Sequence, residues 1–141
     1  METTNGASTK AADIGKLILR VSLGVLVLLH GIGKLISGPV FVLKIVSAAG
    51  LPMVFGYLVY VGEVIAPVLL IVGLWSRLAA LIIAADIAVA IVLVMPGQMF
   101  ALADTGGWAI ELEGIYVFAA IAVALLGAGR YSIGGVHGRW N

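Results

Sequence analysis

Two apolar stretches separated by only two residues decide the fold. Residues 56–75 read GYLVYVGEVIAPVLLIVGLW and residues 78–95 read LAALIIAADIAVAIVLVM, with Ser76 and Arg77 between them. About 20 residues of α-helix cross the ~30 Å hydrocarbon core of a bilayer, and both stretches are close to that length. Because so short a link leaves room only for a tight reversal, the sequence predicts an antiparallel hairpin of two membrane-spanning helices.

The composition of the chain extends this prediction to an integral membrane protein. The 141 residues are 62% hydrophobic and 11% charged, whereas about 25% of residues are charged in a soluble domain. Since the bilayer core offers no water to the backbone, helices are the natural spanning form. We therefore expect an all-α, integral membrane four-helix bundle, with spans at Ile14–Ile36, Gly56–Trp75, Leu78–Met95 and Ile110–Ala128.

We expect one transmembrane domain over residues 14–133. Residues 1–13 are polar and rich in small side chains, which predicts a mobile N-terminal segment, and residues 134–141 form a short C-terminal tail. A net charge of +1 gives no basic surface for nucleic acid. The absence of cysteine excludes thiol redox chemistry and iron–sulfur clusters held by cysteine.

A short apolar segment follows the first span and is too short to cross a membrane. Pro39–Ala49 contains Lys44 as its single charge. Proline favours the first turn of a helix, and Gly50 and Pro52 favour its end. We expect a short interfacial or re-entrant helix between helices 1 and 2, on the outer face; an ordinary apolar loop is the alternative.

The basic residues are unequally distributed between the two sides of the predicted bundle. With four spans, both termini lie on the side of the second-to-third connection. That side holds six basic residues, namely Lys10, Lys16, Arg20, Arg77, Arg130 and Arg139, and the other side holds Lys34 and Lys44. Because lysine and arginine accumulate on the cytoplasmic side, we predict a multi-pass cell-membrane protein with both termini in the cytoplasm.

Ionisable residues inside the apolar stretches concentrate near the outer side. A charge at the bilayer centre costs about 2.5–3.5 kcal/mol on insertion scales, so several charges in one layer indicate a polar site. We predict that Lys34 and Glu63 pair across this layer. The candidate catalytic residues are His30, Lys34, Glu63 and Glu111, and the candidate cofactor-binding residues are Tyr60, Glu113, Tyr116 and Arg20.

Helical spacing supports the grouping of these residues. His30 and Lys34 are four residues apart and are therefore neighbours on a helix. Pro67 has no N–H, so it leaves the carbonyl of Glu63 without its helical hydrogen bond. Glu111 and Glu113 lie 200° apart around a helix at 100° per residue, so only one of them faces the pocket, and which one is left open.

Two charged residues are expected outside this outer layer. Arg20 can extend to the inner lipid headgroups with its apolar stem in the membrane, and a buried partner is the alternative. Asp86, near the middle of the third span, must be neutral, paired or exposed to water, and Arg20 is its candidate partner. The lack of a paired histidine motif argues against a metal site, and a single intramembrane histidine cannot provide bis-histidine haem ligation.

Several short motifs, in order, resemble the DoxX family of small four-helix membrane proteins, which includes a subunit of thiosulfate:quinone oxidoreductase. They are His30-Gly31-Ile32-Gly33-Lys34-Leu35, Gly62-Glu63, Gly73-Leu74-Trp75-Ser76-Arg77, Gly106-Gly107-Trp108 before Glu111, and Gly127-Ala128-Gly129-Arg130-Tyr131-Ser132. Gly134 stands where the family commonly has Asp, which removes a carboxylate at the inner end. The resemblance implies a respiratory or stress-linked protein that handles quinones or sulfur compounds.

Three functions are compatible with these features. The first is a quinone-linked oxidoreductase or its membrane subunit, with quinone as cofactor and a redox partner protein. The second is a transporter of an ion or small metabolite in which Glu63 is a protonatable gate, since discontinuous helices mark many transporters. The third is a membrane scaffold or assembly factor. The expected partners are membrane lipid, a quinone or small anionic substrate, and further copies of the chain.

Overall fold

The computed structural model describes residues 3–138, 140 and 141, and its regular elements are helical. They are α1 (Thr3–Ser37), α2 (Val40–Ala48), a 3-10 segment (Met53–Leu58), a π segment (Val61–Ile65), α3 (Ala66–Val72), α4 (Ser76–Val94) and α5 (Glu111–Leu126). Among the described residues, extended pairing is limited to one bridge between Leu102 and Trp108. The predicted all-α class is confirmed.

Two of the described helical stretches are long and apolar enough to cross a membrane. They are Met53–Val72, which joins the 3-10 segment, the π segment and α3, and Ser76–Val94, which is α4. The bent pair α1 and α2, with an angle of 97° between the two helices, counts as a third if it forms one span. α5 is apolar but has 16 residues, about 24 Å of helix at 1.5 Å per residue.

The first helix begins earlier in the sequence than the first predicted span. α1 starts at Thr3 and includes most of the segment for which we predicted mobility. Mobility stays a prediction, and Met1 and Glu2 lie outside the described residues. The bend between α1 and α2 occurs at Gly38, which has a φ of +79°. Glycine has no side chain and therefore adopts this left-handed backbone conformation without strain.

The helix Met53–Val72 is irregular near its centre, just before Pro67. The proline ring crowds the carbonyl of Glu63 and supplies no N–H to it. The preceding turn is a π turn, in which the N–H of Ala66 donates to the carbonyl of Val61. α1 packs against this turn through Gly31, where a Cβ would overlap the carbonyl oxygen of Glu63. The absence of a side chain on Gly31 therefore lets the two helices meet at the π turn.

Arg20 is buried at the end of the molecule that contains the α3–α4 turn. The residue is 1% exposed, and its guanidinium donates to the carbonyls of Leu70, Ile71 and Tyr131, each at 2.6 Å. The last carbonyls of a helix lack intrahelical donors, and Arg20 satisfies two of those in α3. The expectations that Arg20 extends to the lipid headgroups or pairs with Asp86 are therefore wrong.

The C-terminal tail folds back onto the start of α4. The Oδ1 atom of Asn141 accepts hydrogen bonds from the backbone N–H of Ser76 (3.2 Å) and from its hydroxyl (3.1 Å). Arg77 donates to the backbone carbonyl of Asn141 at 3.0 Å, and Asp13 of α1 accepts the N–H of Arg130 at 3.3 Å. The N-terminal half of α1, the α3–α4 turn and the tail therefore share one end of the molecule. Arg139 lies outside the described residues.

Candidate functional site

Lys34 and Glu63 form an ion pair between the end of α1 and the π turn. The ammonium of Lys34 donates to Oε1 of Glu63, which confirms the predicted pair. Tyr60, three residues before Glu63, donates its hydroxyl to the backbone carbonyl of Lys34 at 3.3 Å. The structure thus brings three of the predicted site residues together.

The carboxylate of Glu63 is buried, and only one of its oxygens has a partner. The residue is 7% exposed, and Oε2 has no hydrogen-bond partner among the described residues. An ionised carboxylate accepts hydrogen bonds at both oxygens, and leaving a buried acceptor unpaired costs about 1–3 kcal/mol. A donor on a bound molecule would satisfy this oxygen, whereas a proton on it would create a hydroxyl donor that needs an acceptor.

Asp86 of α4 joins the same layer. Its carboxyl group lies directly against Gly62, where an added Cβ would be 2.7 Å from Oδ1 and closer still to Cγ. Glu63 and Lys34 are the charged residues that act electrostatically on Asp86. The expectation that Asp86 lies outside the outer polar layer is therefore wrong, because α4 approaches the π turn where Gly62 has no side chain.

A count along the hairpin explains why Asp86 and Glu63 lie at the same level. Asp86 is ten residues after Ser76 (86 − 76), and Glu63 is ten residues before Gly73 (73 − 63). The two arms of an antiparallel hairpin rise together from their turn, so equal distances from the turn give similar depths. The sequence therefore predicts the depth of Asp86, but it does not predict which neighbouring helix Asp86 faces.

An apolar cavity of about 570 Å³ lies beside this cluster. Its walls come from α2, the 3-10 segment and α4, with Phe41, Phe55 and Val89 among the lining residues. Lys34 and Asp86 are its charged lining residues. Small-molecule sites in proteins typically measure about 300–1,000 Å³ and combine apolar walls with a few polar groups. The cavity has this form.

Of the predicted site residues, Lys34 lines this cavity, whereas Glu63 and Tyr60 contact Lys34 beside it and the others lie elsewhere. The ring of His30 packs edge-on against Tyr116 of α5, with centroids 6.0 Å apart and an interplanar angle of 67°. The carboxylate of Glu111 lies beside Gly107, where an added Cβ would be 2.6 Å from Oε2. Glu113 is also absent from the cavity lining. The functional roles assigned to these residues stay predictions.

Arg20, the remaining candidate cofactor-binding residue, also lies away from the cavity. Its guanidinium is engaged with carbonyls at the end of α3. Within the described part of the chain, no group of three or more His, Asp or Glu side chains converges in the way a metal site requires.

The cluster combines one ammonium and two carboxylates beside apolar walls. Lys34 can donate to a carbonyl oxygen of a ligand, and Asp86 and Glu63 can accept hydrogen bonds or hold protons. Hydrogen bonds and charges act more strongly in such surroundings than in water, because the local dielectric constant is low. The site can therefore bind the polar edge of an amphipathic molecule and exchange protons with it.

Apolar helices around a partly buried charged cluster define, over the described residues, a small helical membrane protein. The chain belongs to the DoxX family, because the DoxX family model matches residues 15–96. The matched range contains Lys34, Glu63 and Asp86 together with all the lining residues of the cavity. The resemblance to this family is thus confirmed over residues 15–96, and the motifs at 106–108 and 127–132 lie outside the matched range. No curated protein and no solved structure matches the chain.

Proposed function

We propose that this protein binds a quinone-like ring in the cavity and acts as a quinone-linked oxidoreductase or as the membrane subunit of one. The observation that carries the proposal is the cavity of about 570 Å³ with apolar walls and with Lys34 and Asp86 as its charged lining residues. A quinone has a flat apolar ring and two carbonyl acceptors, so it needs an apolar slot and a donor. Its reduction consumes protons, which positioned carboxyl groups can supply.

The proposal includes a source of electrons outside the chain. The sequence has no cysteine, so neither a thiol pair nor a cysteine-bound iron–sulfur cluster can deliver electrons to the ring. We therefore propose a redox partner protein or direct transfer from a small anionic substrate. Lys34 orients the ring through one carbonyl, and the carboxyl groups of Asp86 and Glu63 hold protons near it.

The proposed arrangement in the membrane has four spans, with residues 14–133 as one transmembrane domain and α5 as the fourth span. This arrangement is supported by the hydrogen bonds that bring the N-terminal half of α1, the α3–α4 turn and the tail together at one end of the molecule. An even number of spans puts both termini on one side, and the excess of basic residues makes that side cytoplasmic. α2, nearly perpendicular to α1, then lies at the outer interface.

Two substitutions on α4 test the quinone site. Ala90 lines the cavity, whereas Ala88 does not and is exposed on the outside of α4. Titration calorimetry with a short-chain ubiquinone or menaquinone analogue should show saturable binding. Ala90→Phe should fill the slot and weaken binding at least tenfold, about 1.4 kcal/mol, while Ala88→Phe should leave affinity unchanged. Equal effects of the two variants, or no saturable binding, would contradict the proposal.

Transport is the second candidate function, and the π turn within Met53–Val72 favours it. A discontinuous helix near the middle of a span is common at transporter binding sites, and here the turn contains Glu63. A proton-coupled flux in liposomes that Glu63→Gln abolishes, together with no quinone binding, would establish transport instead. If neither quinone binding nor proton-coupled flux is observed, a scaffold function remains.

A further inference from the structure

We infer that the cavity prefers the reduced, hydroxyl-bearing form of its ring ligand, a hydroquinone, over the oxidised quinone, and that Asp86 is the residue that distinguishes them. This inference rests on the proposed function and adds the oxidation state of the ligand to it. It follows from an inventory of the hydrogen-bond donors and acceptors around the charged residues of the cavity.

Carboxylate oxygens without hydrogen-bond partners lie at and beside the charged part of the cavity. Oε2 of Glu63 has no partner among the described residues. Asp86 lines the cavity; among the described residues it interacts electrostatically with Glu63 and Lys34 and forms no hydrogen bond. Each ionised carboxylate offers two acceptor oxygens and no donor. Asp86 therefore presents to the cavity oxygen atoms that need a donor on a ligand, and Glu63, beside the cavity, adds one more acceptor to the cluster.

The nearby donors are largely engaged. Lys34 donates to Oε1 of Glu63, and the hydroxyl of Tyr60 donates to the backbone carbonyl of Lys34. An ammonium has three N–H groups, so Lys34 retains N–H groups that can donate to a ligand. The carboxylate of Asp86, which interacts electrostatically with Lys34, competes for these N–H groups. The surplus of acceptors persists if one proton is shared between Asp86 and Glu63, because that proton turns only one of the carboxyl oxygens into a donor.

The two oxidation states of the ligand meet this surplus differently. A quinone carries carbonyl oxygens, which only accept, so it competes with Glu63 and Asp86 for the N–H groups of Lys34. A hydroquinone carries two hydroxyl groups, each a donor as well as an acceptor, and one of them can donate to Asp86 without disturbing the Lys34–Glu63 pair. Since an unpaired buried acceptor is costly and a paired one is not, the hydroquinone should bind more tightly.

Tighter binding of the reduced form has an electrochemical consequence. A ligand that binds one state better shifts the equilibrium toward that state by its differential affinity. Each tenfold preference for the hydroquinone therefore raises the reduction potential of the bound two-electron couple by about 30 mV. The site would draw electrons onto the ring, which suits a protein that reduces quinone.

Three ligands with the same ring and tail test this inference without changing the protein. They are the quinone, the hydroquinone, and the hydroquinone dimethyl ether, which has no O–H donor and is not readily oxidised. Anaerobic titration of the purified full chain should show the hydroquinone binding at least about tenfold more tightly than either of the others. Equal affinity for the quinone and the hydroquinone would overturn the inference while leaving the quinone site intact. Binding of none of the three would overturn the proposed function as well.

A pair of variants then tests the part played by Asp86. In D86N an amide brings N–H donors to the cavity, so the preference for hydroquinone should fall below about threefold or reverse. Val89→Ala, a change in the apolar wall, should alter both affinities by similar factors and keep their ratio. A D86N variant that retains the full preference would show that another group distinguishes the two forms. The wild-type ligand series remains decisive if D86N does not fold.

Discussion

In the cluster of Lys34, Glu63 and Asp86, one ammonium interacts with two carboxylates, and this imbalance of charge governs the chemistry of the three residues. Lys34 forms an ion pair with Glu63, and Asp86 interacts electrostatically with both residues. A buried charge is tolerated when it is paired, and it becomes strongly unfavourable when its partner is removed. Arg20 follows the same rule with neutral partners, because three backbone carbonyls surround its buried guanidinium.

The Lys34–Glu63 pair should show energetic coupling in a double-mutant cycle. Lys34→Met leaves Glu63 buried without its cation, and removing one partner of a buried pair typically costs about 3–5 kcal/mol. Glu63→Gln should lower the thermal unfolding midpoint in detergent, and adding Lys34→Met should recover part of that loss. If the effects of the two single substitutions simply add, the two side chains do not stabilise each other in the folded protein.

At the scale of elements, the π turn is the feature that brings three helices to one point. Pro67 supplies no N–H to the Glu63 carbonyl, and α1 meets this carbonyl at Gly31 while α4 places Asp86 against Gly62. π turns occur frequently at functional sites. Here the glycines allow backbone and carboxyl groups to approach at distances that any side chain would prevent.

Two neighbouring glycines of α1 provide a matched test of this contact. A Cβ on Gly31 would overlap the backbone carbonyl of Glu63, whereas a Cβ on Gly33 meets no atom within 4 Å. Gly31→Ala should lower stability by about 1–3 kcal/mol through overpacking and weaken ligand binding by displacing the π turn. Gly33→Ala should be neutral or stabilising, since alanine favours a helix over glycine by about 1 kcal/mol. Thermal unfolding of both variants in detergent measures the difference, and equal midpoints would contradict the close approach.

At the scale of the whole molecule, polar contacts gather at the end opposite the cavity. Asn141 caps the first turn of α4 through Ser76, and Arg77 reaches the carbonyls of Ala124 and Leu125 at the end of α5. These bonds satisfy helix-terminal groups that have no intrahelical partner. They hold the tail, the hairpin turn and the last helix together, so the short C-terminal tail stabilises the packing of these helices.

The orientation of the chain can be measured with single cysteines, because the natural sequence has none. Suitable exposed positions are Ala11 and Val136 at one end and Ser47 and Thr105 at the other. In whole cells an impermeant thiol reagent should label Ser47→Cys and Thr105→Cys, and all four variants should react after permeabilisation. The opposite pattern would reverse the orientation. Reaction of Thr105→Cys together with Ala11→Cys would refute four spans.

The sequence by itself determined the helical elements, the helix break and the main ion pair. Long apolar runs and Pro67 act through local physics, namely hydrophobic length and a missing N–H, and therefore predict elements without knowledge of their neighbours. Lys34 and Glu63 could be paired because opposite charges in an apolar layer need each other. The short helix after the first span also followed from its flanking Pro39 and Gly50.

Only the tertiary structure decided which faces of these helices meet. Asp86 could be placed at the level of Glu63 by counting from the turn, but its approach to Gly62 depends on the rotation of α4. Arg20 donates to backbone carbonyls at the end of α3 and in the tail. No motif of side chains predicts such backbone partners. Rotation and close approach arise from side-chain packing across all the helices at once, so the cavity beside α2 was not readable from any one of them.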